Sequence, residues 1–108
     1  MYFAVWATDR EGTQAARLAV REAHRARLRD PGAHRVKVVA GGPTPREFDS
    51  AMNGSLLVIE ADDIDAVRRF VSGDPYQVAG VYASVEIRPW HWGLGRPPEV
   101  EPGPGQVR

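Results

Sequence analysis

Residues 55–76 read SLLVIEADDIDAVRRFVSGDPY, and this stretch contains the strand and the helix that decide the fold. Four of its first six residues, at positions 56–59, form a continuous apolar run, which is typical of a strand buried in a sheet. Asp62 or Asp63 can cap the helix that follows, whose apolar side chains repeat at helical spacing: Ile64, Val67, Phe70 and Val71. Gly73 is placed to end this helix, and Asp74 then precedes a proline that favours another short turn or helix.

Strand-like and helical stretches alternate on both sides of this segment. The other predicted strands are residues 2–7, 36–40 and 81–90, and the other predicted helix is residues 13–29. The order is therefore β-α-β-β-α-β. This order predicts an α+β, ferredoxin-like fold, in which an antiparallel four-stranded sheet carries two helices on one face.

Four finer expectations concern single elements. Thr13 is the expected N-cap of the first helix. Gly41-Gly42-Pro43 is expected to end the second strand before a polar loop over residues 44–53. In the last strand, Tyr82 is expected to face away from its apolar neighbours. The first helix is expected to turn its small apolar residues towards the sheet: Ala15, Ala16, Ala19, Val20, Ala23 and Ala26.

Length and composition limit the possible classes of protein. The 108 residues fit one domain, assigned to residues 1–92, and residues 93–108, with four Gly and four Pro, are expected to form an extended tail. A formal net charge of zero does not favour nucleic-acid binding, which normally uses a basic excess. The absence of cysteine excludes disulfides and thiolate catalysis. No apolar stretch is long enough to span a membrane, so a cytoplasmic location is the default expectation.

The apolar character of two strands predicts a homodimer. Residues 2–7 and 55–60 are apolar at nearly every position, so both faces of these strands favour burial. Two helices can cover only one face of the sheet. The simplest cover for the other face is a second copy of the same sheet.

Four short motifs occur in order along the chain: RLAVREAHRARL at residues 17–28, AGGP at 40–43, DPYQVAGVY at 74–82 and VEIRPW at 85–90. Together they resemble the YciI-like, or YCII-related, proteins. The resemblance implies a dimeric α/β barrel of ferredoxin-like subunits. It also implies a site built around a His and an Asp, which match His24 and Asp74. A relative within this family is similar to dehydrochlorinases of chlorinated-aromatic breakdown, and the wider superfamily that the resemblance implies includes muconolactone isomerase and small monooxygenases.

Each candidate residue also has an ordinary structural interpretation. His24 is either a general base or acid that titrates near neutrality, or a partly exposed helix histidine. Asp74 either accepts a hydrogen bond from His24 or is only an N-cap before Pro75. The candidate substrate-binding residues are Arg17 for an anion, Gly42 for close backbone approach, Ser55 as a hydroxyl donor, and Tyr76 and Tyr82 as lining.

Three functions remain open at this level. The first is a cofactor-free lyase or isomerase in which His24 and Asp74 transfer a proton on a small anionic or aromatic metabolite. The second is a non-catalytic ligand-binding or regulatory module, since one fold serves both roles. The third is a small monooxygenase, cofactor-free or haem-handling. No histidine spacing indicates a metal site, and no motif indicates a cofactor.

Overall fold

The computed structural model describes residues 1–95. Four strands and three helices follow one another as β1 (Tyr2–Asp9), α1 (Gln14–Arg29), β2 (Val36–Pro45), β3 (Met52–Ala61), α2 (Ile64–Ser72), α3 (Pro75–Val78) and β4 (Tyr82–Trp90). The division at residue 92 stays a prediction, because residues 96–108, most of the expected tail, lie outside the described residues. Within the described part of the chain, no helix is both long and apolar enough to cross a membrane.

The strands form one antiparallel sheet in the order β2-β3-β1-β4. The two central strands, β1 and β3, are those with the most continuous apolar runs, and the two mixed strands lie at the edges. Both long helices cover the same face of the sheet. The ferredoxin-like α+β fold is therefore confirmed, with α3 as a short addition between α2 and β4.

The two faces of the sheet differ in how well they are covered. On the helix side, Phe3 and Val5 of β1 and Ile59 of β3 are almost fully buried. On the other side, Trp6 is 53% exposed and Leu56 is 40% exposed, although both are large and apolar. The two strands therefore do carry apolar residues on both faces, and residues 1–95 bury only one of these faces well.

The predicted end of the second strand was wrong. β2 continues through Gly41-Gly42-Pro43 to Pro45, and the turn to β3 spans only residues 46–51. β2 pairs on one side only, and an edge strand tolerates proline because its outer edge needs no hydrogen bond. A side chain at Gly41 would approach the Leu57 side chain to 2.7 Å, so glycine lets this strand lie close to its neighbour.

The predicted inner side of α1 was confirmed for Ala16 and Val20, which are half-buried and pack near Tyr76 and Tyr82, and was wrong for the other four residues. Ala15, Ala19, Ala23 and Ala26 are exposed, whereas Arg17 and His24 are the buried residues of the helix. An alanine gains little from burial, whereas a buried Arg or His is tolerated where partners satisfy its polar atoms. The Thr13 hydroxyl does not cap the helix, because it donates instead to the Arg10 carbonyl at 2.6 Å.

The predicted facing of Tyr82 in β4 was wrong as well. The β1–β4 register shifts between Thr8 and Asp9: Thr8 lies opposite Ser84, but Asp9 lies opposite Tyr82. An advance of one residue along β1 thus corresponds to two residues along β4, and this extra residue makes a β-bulge. The bulge turns Tyr82 into the helix-covered side, where it is buried and packs near Val85.

The ends of α2 match their sequence signals. Asp63 is the N-cap, and its carboxylate accepts a hydrogen bond from the Ala66 N–H at 2.8 Å. Gly73 follows the helix with an ordinary negative φ. A Cβ at this position would lie 2.6 Å from a guanidinium nitrogen of Arg27, which donates to the Phe70 carbonyl at the end of α2, so a larger residue would displace the Arg27 side chain.

Candidate active site

A cavity of about 420 Å³ opens between α1 and the β2–β3 half of the sheet. Its volume suits a small metabolite. Among the described residues that line it, Arg17, Arg21, Arg25 and His24 are basic or titratable, and none is Asp or Glu. Leu18, Leu28, Met52 and Leu57 supply apolar walls. The cavity therefore combines apolar walls with a local excess of positive charge.

His24 and Asp74 meet beside this cavity. The His24 Nδ1 atom lies 2.8 Å from Asp74 Oδ1 and 3.0 Å from Oδ2, and the two side chains are 7% and 2% exposed. Because Asp74 is a carboxylate, the contact requires Nδ1 to donate its proton. In a neutral imidazole, Nε2 then carries the lone pair, and it is the ring nitrogen left for the cavity that His24 lines.

Asp74 performs the expected capping role at the same time. Its Oδ1 atom accepts the Tyr76 N–H at 2.9 Å as the N-cap of α3, and Pro75 occupies the first turn of that helix. A carboxylate has enough lone pairs for both contacts. The cap fixes the carboxylate in place, and the fixed carboxylate orients the imidazole.

The Tyr76 ring lies between the two buried basic residues of α1. The His24 ring stacks on it with centroids 3.9 Å apart and planes 20° apart. The Arg17 guanidinium carbon lies 4.3 Å from the centroid of the same ring. Arg17 and His24 are seven residues apart, about 10 Å along the helix, which leaves room for one aromatic ring between them. The helix therefore sets the spacing of Arg17 and His24, and the Tyr76 ring packs against both side chains.

Arg17 links three elements beneath the cavity. Its Nε atom donates to Asp9 Oδ2 at 2.8 Å. Its Nη2 atom donates to the Gly54 carbonyl and to Ser55 Oγ, each at 2.7 Å. The Tyr82 hydroxyl reaches the same Ser55 oxygen at 3.1 Å. β1, α1, β3 and β4 thus converge on one buried polar network.

Burial and neighbouring charge set the protonation of this network. Burial alone lowers the pKa of Arg17, but the hydrogen bond and the charge of Asp9 outweigh it, so the pKa is raised. Burial raises the pKa of Tyr82 above its usual value. Burial also raises the pKa of Tyr76, although the positive charge of nearby arginines opposes this rise. Both phenols therefore keep their protons at neutral pH and can serve as donors.

The sequence-predicted site residues fall into two groups. Arg17, His24, Gly42, Ser55 and Tyr76 line the cavity, while Asp74 and Tyr82 support it from behind. Sequence reasoning missed Asp9, the partner of Arg17, and Arg25, a lining residue. Nothing in the sequence indicated a role for Asp9, since an acidic residue after a strand usually lies in a surface turn. Within residues 1–95, no three His, Cys, Asp or Glu side chains are grouped to hold a metal ion.

Comparisons with known proteins agree with this fold. A family model described as the YCII-related domain matches residues 1–91. An uncharacterized protein of Haemophilus influenzae is 35% identical over 95 residues, covering 83% of this chain and 96% of its own. Protein YciI of Escherichia coli is 31% identical over 98 residues, with the same two coverages.

A solved structure is similar at the level of the whole fold. It is the 5-chloro-2-hydroxyhydroquinone dehydrochlorinase TftG from Burkholderia phenoliruptrix, in complex with 2,5-dihydroxybenzoquinone. It is 33% identical, with a TM-score of 0.71, and the match covers 84% of this chain and 94% of that one. The family match over nearly the whole described domain, together with these relatives, shows that the chain belongs to the YCII-related domain family of the dimeric α/β-barrel superfamily.

Proposed function

We propose that this protein is a small-molecule enzyme of the lyase or isomerase kind, in which His24 and Asp74 form a proton-transfer pair. The observation that carries the proposal is the placement of His24: Nδ1 is held by a buried carboxylate, and Nε2 is left for a cavity of metabolite size. An oriented imidazole with one free nitrogen is the usual form of a histidine general base. Buried ionisable residues cost stability, which favours a functional reason for their presence.

The reaction begins with a proton transfer to His24. Nε2 takes a proton from the substrate, the bonding electron pair stays on the substrate, and Asp74 stabilises the imidazolium that forms. In an elimination from a chlorinated hydroxylated ring, the first hydroxyl proton is passed to the carbon that bears chlorine, which becomes tetrahedral. Loss of a second hydroxyl proton then forms a carbonyl, the adjacent ring double bond shifts, chloride leaves with the carbon–chlorine electron pair, and the second proton passes to solvent. In an isomerisation, the same proton returns to a different atom of the substrate.

The charge of the cavity favours an anionic substrate. Three arginines of α1 line it, no carboxylate among the described residues does, and the chain as a whole has a net charge of zero. An anion also gains from arginine geometry, because a guanidinium binds two oxygens at once. A planar ring with acidic hydroxyl groups fits both the charge and the apolar walls.

The test compares chloride release with ligand binding. Wild-type protein is incubated with 5-chloro-2-hydroxyhydroquinone, and free chloride is measured with an ion-selective electrode. We expect release by the wild type, a loss of at least about 100-fold in His24→Gln, and unchanged release in His91→Gln, an exposed histidine outside the cavity. Equal release by the wild type and His24→Gln would remove the catalytic role of His24.

A non-catalytic ligand-binding module is the alternative, and one observation favours it. The capping of α3 by Asp74 is by itself a sufficient structural reason for this carboxylate. The alternative predicts that 2,5-dihydroxybenzoquinone, the ligand of the TftG complex, binds in the cavity without any turnover of related compounds. Isothermal titration with this quinone, beside the chloride assay, separates the two functions.

A homodimer in the cytoplasm is the assembly and location proposed for this enzyme. The uncovered face of the sheet, with Trp6 and Leu56 exposed, supports the dimer. Large apolar residues on an uncovered sheet face favour association with a second sheet.

A further inference from the structure

The Ser55 hydroxyl has two side-chain hydrogen-bond partners. Ser55 lies on β3, is 2% exposed and lines the cavity. Its Oγ atom lies 2.7 Å from Arg17 Nη2 and 3.1 Å from the Tyr82 hydroxyl. Both neighbours approach the same oxygen, so the position of the one serine proton can be deduced from what each neighbour is able to donate.

A serine hydroxyl has two acceptor lone pairs and one proton. The guanidinium of Arg17 can only donate, so it occupies one lone pair. Tyr82 keeps its own proton, because burial raises its pKa, and Ser55 is the sole acceptor for that proton among the described residues. Tyr82 therefore occupies the second lone pair. The Ser55 proton is left without an acceptor in the described part of the chain.

We infer that Ser55 is a dedicated hydrogen-bond donor to an oxygen atom of the bound substrate, with Arg17 and Tyr82 as positioning residues that fix and polarise its hydroxyl. A hydroxyl that already accepts two hydrogen bonds is a stronger donor, because hydrogen bonds in a chain polarise one another. The partner of such a donor is a carbonyl or anionic oxygen. Ser55 would then stabilise negative charge that develops on this oxygen, as oxyanion-binding groups do.

This inference narrows the substrate class of the proposed function, on which it rests. When the His24 imidazole is neutral, its Nε2 atom can only accept a proton from the substrate, and the Ser55 hydroxyl can only donate one hydrogen bond to it. The complementary substrate has a removable proton conjugated to a carbonyl or oxyanion. When His24 takes that proton, the electron pair moves through the conjugated system to the oxygen bound by Ser55.

The first test measures binding of a matched pair of probes. The probe with acceptor oxygens is 2,5-dihydroxybenzoquinone, and the control is hydroquinone, a ring without carbonyl groups. We expect Ser55→Ala to lose affinity for the quinone by about tenfold or more and to change hydroquinone binding little. Ser55→Thr keeps the hydroxyl and should retain most of the affinity. Ser84→Ala makes the same change at an exposed strand position and should have no effect.

The second test determines the direction of the Tyr82 hydrogen bond. If Tyr82 donates to Ser55, Tyr82→Phe removes that polarisation and weakens quinone binding by about threefold. If Ser55 instead donates to Tyr82, the same substitution frees the serine proton and strengthens binding. A stronger complex in Tyr82→Phe, or a Ser55→Ala protein that binds the quinone as tightly as the wild type, would overturn the inference.

The readout keeps this inference separate from the proposed reaction. A protein that binds the quinone through Ser55 but releases no chloride contradicts the reaction and leaves the serine donor in place. A protein that releases chloride in a His24-dependent way, with quinone affinity unchanged in Ser55→Ala, contradicts the serine donor alone. Thermal melting of each variant establishes that a loss of binding does not result from unfolding.

Discussion

The two ends of the helix-covered side of the sheet are built in opposite ways. Under α2 lies an apolar region, made only of hydrophobic residues: Phe3, Val5, Leu57, Ile59, Ala61, Ala66, Val67, Phe70 and Val71. Under α1 and α3 lies a polar region, which contains the four buried polar residues of the described chain and the rings around them: Arg17, His24, Ser55, Asp74, Tyr76 and Tyr82. The same strands, β1 and β3, contribute to both regions.

This difference separates stability from function. Apolar area removed from water stabilises the fold by about 25 cal/mol per Å². A buried charge pair adds little net stability, because the loss of hydration offsets much of the attraction. The apolar region therefore holds the domain together, and the polar region is a cost that the fold carries for its site. Substitutions in the two regions should then have opposite balances of stability and binding.

The largest effect is expected from a charge placed in the apolar region. Val5 is 2% exposed among apolar side chains, so Val5→Asp would bury a carboxylate without a partner at a cost of several kcal/mol. That cost is comparable to the total stability of a small domain. Circular dichroism should show a largely unfolded protein. A folded Val5→Asp protein would mean that this region is open to water.

A cavity in the apolar region is the next largest change. Phe70 is fully buried, and Phe70→Ala should lower the free energy of unfolding by about 3–5 kcal/mol, measured by urea denaturation. If the variant is still folded at low temperature, its quinone affinity should be close to that of the wild type, because Phe70 does not line the site cavity. A large loss of affinity in the folded variant would show that the two regions are coupled.

The matched change in the polar region is Asp74→Asn. Asparagine can still cap α3, so the free energy of unfolding should fall by only about 1–3 kcal/mol, from the weakened contact with His24. Chloride release should nevertheless be largely lost, because a neutral amide cannot stabilise the charged imidazole as a carboxylate does. Loss of stability without loss of activity would assign Asp74 to the helix cap alone.

A substitution on the uncovered face should leave the protomer folded. Val58 is half-buried on the face opposite the helices, beside the exposed Leu56 and Trp6. Val58→Asp should therefore change the free energy of unfolding of a protomer by less than about 1 kcal/mol and dissociate the dimer. Light scattering measures the mass, and a wild type that is monomeric at micromolar concentration would contradict the proposed homodimer.

The smallest effect is expected on the pH dependence of stability in Tyr82→Phe, which should differ from the wild type only at alkaline pH. Burial raises the pKa of Tyr82 in the folded protein, so the unfolded chain loses this proton first, near pH 10. Wild-type stability should thus be fully present below about pH 10 and fall above it. Urea denaturation at pH 9 and 11 should show a fall that is about 1 kcal/mol smaller in Tyr82→Phe. Equal falls would mean that Tyr82 is accessible to water.

Local patterns in the sequence were sufficient for the apolar region. The spacing of Val67, Phe70 and Val71 identified the buried side of α2, and Asp63 was correctly identified as a possible cap. Each of these signals lies within one or two helical turns. The order of elements then leaves few ways to arrange four strands and two helices.

Local patterns in the sequence did not predict the contacts of the polar region. His24 and Asp74 are 50 residues apart in the chain, and Arg17 and Ser55 are 38 apart. The resemblance to a family singled out His24 and Asp74, but no spacing in the sequence indicated that Arg17 would be buried against Asp9 rather than exposed. The rule that buried helix faces are apolar correctly placed Ala16 and Val20 on the inner side of α1, but it did not predict that Arg17 and His24 are the buried residues of this helix.

The sequence by itself determined the order of strands and helices, the apolar side of α2 and the capping residues of α2 and α3, because each depends on contacts between near neighbours. The tertiary structure alone decided that polar residues of α1 are buried, how long β2 is and which way Tyr82 faces after the bulge in β4. A buried polar side chain is stable only where distant residues supply its partners. The site is therefore a property of the assembled sheet and helices.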